Sequence, residues 1–104
     1  VTDRPARIIV FYRAPEEDPS VVERVYHEVS AEMKDTAGLL TNVLLRDVME
    51  PSSYVVVSEW VDLVAFGAWD KSPGHRRTTP LDPYQDLDSS HRKSFGVYEV
   101  VASY

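Results

Sequence analysis

An α+β domain of βαββαβ order, with an antiparallel sheet carrying its helices on one face, is the fold class this sequence predicts, on three observations. Four segments rich in β-branched and aromatic residues alternate with two segments of helical character, in the order strand, helix, strand, strand, helix, strand. The second and third strands are joined by a short turn, so they pair as a hairpin, and the helical crossovers complete the split βαβ, ferredoxin-like arrangement. A length of 104 residues leaves room for a single domain over 1–104 with one modest core.

Each element has its own signals. Arg7 to Arg13, RIIVFYR, lies between Pro5 and Pro15 and reads as the first strand. In Asp18-Pro19-Ser20, either Asp18 or Ser20 can cap a helix, Pro19 suits its first turn, and Ser20 with Glu23 makes a capping box. Val22, Val25, Val29 and Met33 then recur at helical spacing with Tyr26 beside them, leaving Glu23, Arg24, Glu28 and Glu32 to solvent, and Gly38 ends the helix. Leu39 to Val48 and Tyr54 to Trp60 are the hairpin strands, joined through MEPSS. Asp62 caps a second helix from Leu63 to Lys71 whose inward residues are Leu63, Ala65, Phe66 and Trp69. Residues 72–93, with Pro73, Gly74, Pro80 and Pro83, form a long loop with at most one short helical turn near His75 to Thr79, of the kind that serves as a lid or binding segment. Phe95 to Tyr104 is the last strand.

The first and third strands, with IIVF and YVVV, are apolar on both faces, although helices cover only one. So large an apolar surface is rarely left in water. A second copy of the sheet is the economical cover, which predicts a homodimer with the sheets packed face to face or closed into a dimeric α+β barrel. The composition, 43% hydrophobic and 27% charged, is that of an ordinary globular protein. A net charge of −6 argues against nucleic acid, whose binding needs clustered Lys and Arg. With no cysteine, disulfides, thiolate metal sites and thiol nucleophiles are excluded. VTDRPAR opens the sequence without the apolar run of a signal peptide, and no apolar stretch reaches about 18 residues, so a cytoplasmic location without membrane contact is expected.

Following the hairpin, S-E-W closes the third strand and is succeeded by AFGAW, S-P and His75. This pattern resembles the antibiotic biosynthesis monooxygenase superfamily of small dimeric α+β barrels, over nearly the whole chain in element order. The superfamily holds cofactor-free quinone-forming oxygenases, haem-degrading enzymes and many members of unassigned activity, so the resemblance implies fold more firmly than chemistry. In the cofactor-free polyketide oxygenases an Asn stands four residues before the Trp at the end of the third strand, and a Tyr six after it. Trp60 matches the Trp, but Val56 and Phe66 occupy the other two places. In the haem-degrading branch a second-helix Trp is followed ten residues later by a His iron ligand, and the first strand carries an Asn. Trp69 matches that Trp, but Thr79 stands at the ligand position and RIIVFYR has no Asn, so His75 or His91 would have to replace it.

Candidate chemistry-bearing residues each have a structural alternative. Trp60, Phe66 and Trp69 form either core or an aromatic wall; Trp60, at a strand-to-helix junction, is the stronger candidate for a pocket. His27 falls on the polar side of the first helix, whereas His75 and His91 border the long loop and can reach a pocket mouth as base, haem ligand or substrate contact. Arg76 and Arg77 make an anion-binding rim or a solvated basic turn. Tyr12, Asn42, Tyr84 and Tyr98 either hydrogen-bond a phenolic substrate or pack in strands. No His pair has zinc-site spacing, and there is no phosphate-cradling glycine loop.

The resulting expectation is a monooxygenase or related tailoring enzyme, without cofactor or metal, acting with O2 on an aromatic or polyketide-type phenol in antibiotic or secondary-metabolite biosynthesis. His75, Arg76 and Tyr84 are the candidates for proton handling and anion stabilisation. Trp60, Phe66, Trp69, Tyr12 and Asn42 are the candidates for substrate binding. The alternatives are a haem-binding or haem-degrading enzyme of the same fold and a non-catalytic dimeric binding module.

Overall fold

Strands β1 (Ala6–Arg13), β2 (Leu39–Arg46), β3 (Ser53–Trp60) and β4 (Phe95–Glu99) form one antiparallel sheet in the order β2-β3-β1-β4. The computed structural model describes residues 4–73, 79–87 and 94–104. Helices α1 (Val21–Met33) and α2 (Leu63–Asp70) follow β1 and β3, and a 3₁₀ segment spans Thr79–Tyr84. This is the ferredoxin-like α+β fold read from the sequence. Among the described residues no helix is long and apolar enough to cross a membrane.

Strand alternation decides which side chains meet the helices. Ile8 pairs with Ser58 and Ser58 with Asn42; Val10 pairs with Val56 and Val56 with Leu44; Tyr12 pairs with Tyr54. Ile8, Tyr12 and Tyr54 join Val22, Val29 and Met33 of α1 in one buried cluster, so this face is the core. The intervening residues form the opposite face. There Ile9 pairs with Val57 and Val57 with Val43, while Phe11 pairs with Val55 and Val55 with Leu45. Val43, Leu45 and Tyr98 are exposed on it.

Several local expectations change. Ser20 precedes α1 but makes no capping bond to it. Its hydroxyl instead accepts from Arg24 at 2.6 Å, and Arg24 also holds the Asp18 carboxylate at 2.6 Å. That guanidinium keeps the Asp18 carboxyl below its usual range. Glu23, the other half of the expected box, is drawn to Arg46 at 3.1 Å and accepts from the Tyr54 hydroxyl at 3.3 Å. Gly38 does not end α1, which stops at Met33. It opens β2 with φ of 84°, where an added Cβ would lie 2.5 Å from the Ala65 Cβ of α2. Asp62 does cap α2, accepting from the Ala65 N–H at 2.8 Å. β4 is shorter than expected because its neighbour β1 begins after Pro5. Val100 still donates to the Pro5 carbonyl at 2.9 Å, but proline has no N–H with which to continue the ladder. The helical turn expected near His75 to Thr79 falls mostly outside the described residues, and the 3₁₀ segment begins where that turn was to end.

Candidate functional site

Between the helix-facing side of the sheet, α1, α2 and the 3₁₀ segment lies a cavity of about 390 Å³. That is within the range of small-molecule sites, roughly 300 to 1,000 Å³. Ile8, Val10, Val56 and Ser58 line it from the sheet, Tyr26, Val29 and Met33 from α1, and Phe66, Trp69 and Asp70 from α2. Tyr12 lines it from β1, Leu81 and Asp82 from the 3₁₀ segment, Gln85 just after that segment, and Phe95 from β4. The arrangement follows from strand period and helix spacing. Residues two apart on β1 and β3 share a face, and Phe66 and Trp69, three apart on α2, lie on one side of that helix.

The aromatic wall has two layers. Phe66 and Trp69 line the cavity with ring centroids 6.2 Å apart. Trp60 meets Phe66 at 5.7 Å and Trp69 at 5.4 Å, but it is 0% exposed and not among the lining residues. Its indole N–H donates to the Ser58 hydroxyl at 3.0 Å, which satisfies the ring's one polar group inside the core. Trp60 therefore stands behind the cavity wall and does not line it. It is the buried backing of the wall, because α2 folds back over the end of β3 and lays its own two rings on the cavity side.

Polar side chains are interspersed among the apolar ones, from Tyr12, Tyr26, Asn42, Ser58, Asp70, Asp82 and Gln85. The phenol of Tyr12, 7% exposed, is held above its usual pKa by burial and, secondarily, by the negative charge of Asp82. The Asn42 amide donates to the Ser30 hydroxyl at 3.2 Å and toward the Met33 sulfur at 3.7 Å, while its Oδ1 is buried without a partner among the described residues. Tyr26 donates to the Asn42 backbone carbonyl at 3.0 Å, tying α1 to β2. A cavity with an aromatic side and several hydrogen-bonding groups can hold a planar aromatic ligand and orient its oxygen substituents.

Of the residues proposed from sequence, the structure brings Phe66, Trp69, Tyr12 and Asn42 to one cavity. Tyr84 is not on its wall. It packs against the core cluster near Arg24, because the 3₁₀ segment turns Leu81 and Asp82 toward the cavity instead. His75, Arg76, Arg77 and His91 lie outside the described residues. His27 is exposed on α1, its ring edge-on to Tyr26 at 5.8 Å, and among the described residues no histidine lines the cavity. Nor does any group of acids and histidines among them suit a metal ion. Sequence reasoning missed Tyr26, Ser58, Asp82 and Gln85. Tyr26 and Ser58 were signalled by their places on the apolar stripe and the alternating strand; Asp82 and Gln85 had no signal in a proline-rich loop.

A family model, antibiotic biosynthesis monooxygenase, matches residues 6–80, from the start of β1 into the 3₁₀ segment. The chain belongs to this family. Solved structures carry the same architecture. SnoaB, a cofactor-independent oxygenase from Streptomyces nogalater, superposes with a TM-score of 0.75 at 21% identity, covering 98% of this chain and 97% of that one. A conserved protein from Methanosarcina mazei gives 0.74 at 14% identity, with 91% of each chain covered. A haem-degrading protein from Mycobacterium tuberculosis gives 0.68 at 23% identity, covering 96% of this chain and 98% of that one. At such identities the likeness is one of fold. No curated protein matches the sequence.

Proposed function

We propose that this monooxygenase-family protein is a cofactor-independent oxygenase that converts a planar phenolic aromatic of the polyketide type to a quinone. The observation that carries the reading is the cavity of about 390 Å³ walled by Phe66 and Trp69, with Tyr12 and Asn42 among its polar side chains. The family match and the likeness to SnoaB support it. The substrate supplies the electrons. Loss of the phenolic proton leaves an electron-rich anion that reduces O2; a C–O bond forms at the ring carbon para to the phenolate, and the resulting hydroperoxide loses water to give the quinone. One oxygen atom enters the product and the other leaves as water, so no external reductant is needed. The protein's part is to take a proton, hold the ring flat against the aromatic wall and exclude water while the peroxide forms.

The same reading includes a homodimer. The rows Ile9-Val57-Val43 and Phe11-Val55-Leu45 make an apolar sheet face that the chain's own helices do not cover, and a second copy of that face is the cover of matching chemistry.

The function is tested with an oxygen electrode and a panel of dihydroxynaphthalenes. The expected result is O2 uptake proportional to protein, one labelled oxygen atom per quinone when isotopic O2 is supplied, and a loss of at least about tenfold in Phe66→Ala and Trp69→Ala. Uptake no faster than in buffer across the panel would end this reading.

A further inference from the structure

Tyr12 and Asp82 both line the cavity, and the chain brings them there by separate routes. Tyr12 faces the helices near the end of β1. It forms an isolated bridge with Gln85, whose N–H donates to the Asp82 carbonyl at 3.1 Å, while the next residue, Asp86, donates its N–H to the Phe11 carbonyl at 2.8 Å. The 3₁₀ segment is thus stitched to the strand and sets Asp82 beside the phenol. Among the described residues, neither side chain is engaged in a hydrogen bond or an ion pair. Among the described residues, Arg13 is paired with Glu50 and Asp86, and Arg24 with Asp18. Among the described residues, a carboxylate and a protonated phenol therefore border one cavity without a hydrogen bond to each other or to a neighbour.

We propose that this pair ionises a phenolic ligand, Asp82 accepting its proton and Tyr12 donating a hydrogen bond to the oxygen left behind. The inference rests on the reading of the cavity as a site for phenols. In the step, the ligand's O–H bond breaks, its electron pair stays on the ring oxygen, and a new O–H bond forms on the Asp82 carboxylate. The roles are not interchangeable. Burial and the adjacent negative charge keep Tyr12 protonated, so it serves as a donor to a developing anion, while the carboxylate is the group able to accept. A positioned acid–base pair of this kind contributes on the order of 10²–10⁴ in rate. Neither residue stands at the Asn or Tyr positions occupied here by Val56 and Phe66, and both come from elements outside the strand-to-helix junction that carries those positions.

The test is a fluorescence titration of the full chain with β-naphthol and with its methyl ether, which has the same rings and no proton to give. Quenching of Trp69 on the cavity wall reports binding of both. The wild-type protein is expected to prefer the phenol by at least about tenfold, the range for a hydrogen bond to a charged acceptor. Asp82→Ala and Tyr12→Phe are each expected to bring the preference within about threefold while both naphthalenes still bind, which also shows that the cavity is intact. Asp82 is exposed, so its variant carries the test even if Tyr12→Phe folds poorly. An undiminished preference in the variants, with both naphthalenes still bound, overturns this proposal and leaves the aromatic site standing. Failure of folded wild-type protein to bind either compound overturns the site and the proposal together.

Discussion

Trp60→Phe separates the backing of the aromatic wall from the wall itself. Trp60 is 0% exposed and hemmed in by Phe66 and Trp69, so replacing indole by phenyl leaves a void that these rings fill only in part. A void of about 40 Å³ at roughly 24 cal/mol per Å³ costs about 1 kcal/mol. Loss of the indole donor to Ser58, which sits 3.0 Å away, costs about 1 kcal/mol more, because Ser58 is itself buried. Added to the smaller transfer energy of the phenyl ring, the loss is about 2 to 3 kcal/mol, a large share of the roughly 5 to 15 kcal/mol that holds a domain folded. Urea unfolding at constant m measures it. Affinity for β-naphthol, titrated where the variant is fully folded, is expected to stay within about threefold of wild type, since Phe66 and Trp69 still present their rings. A loss below about 0.5 kcal/mol combined with a tenfold loss of affinity would show that the ring faces the ligand and that its burial does not describe its role.

Gly38→Ala forces a side chain onto a φ of 84° and a Cβ to within 2.5 Å of Ala65. It is expected to destabilise by about 2 to 4 kcal/mol. Gly67→Ala, where an added Cβ meets nothing within 4 Å in the middle of α2, is expected to stabilise by about 0.5 to 1 kcal/mol in the same urea assay. The raised pKa of Tyr12 has a definite sign. The folded state holds this proton more tightly than the unfolded chain, so its stabilisation is complete below about pH 10 and is lost as pH rises toward the folded-state value. Urea midpoints between about pH 9 and 11.5 should therefore fall less steeply for Tyr12→Phe than for wild type, and parallel slopes would contradict the shift. For the sheet face, sedimentation of wild type should give twice the 11.8 kDa chain mass. Val57→Lys, which sets a charge at the centre of the row Ile9-Val57-Val43, should give monomer; a wild-type monomer at micromolar concentration would refute the dimer.

Sequence by itself determined the elements and their order. Alternation and β-branching marked the strands, the Val22 to Met33 stripe marked α1, and Asp62 marked the start of α2, because these are local signals in which the residue and its consequence lie within a few positions. Helical spacing put Phe66 and Trp69 together, whereas the strand register seen in the structure sets Tyr12 and Asn42 on the helix-facing side. Tertiary structure alone decided depth and company. Trp60 became core and Trp69 wall because α2 closes over the end of β3, which depends on Gly38 letting helix and strand approach to a distance no Cβ allows. Ser20 and Glu23 gave up their capping box because Arg24 and Arg46 offered charged partners. Asp82 reached the cavity and Tyr84 left it through the handedness of one 3₁₀ segment stitched to β1. Such outcomes turn on contacts between residues far apart in the chain, and local sequence pattern carries no term for them.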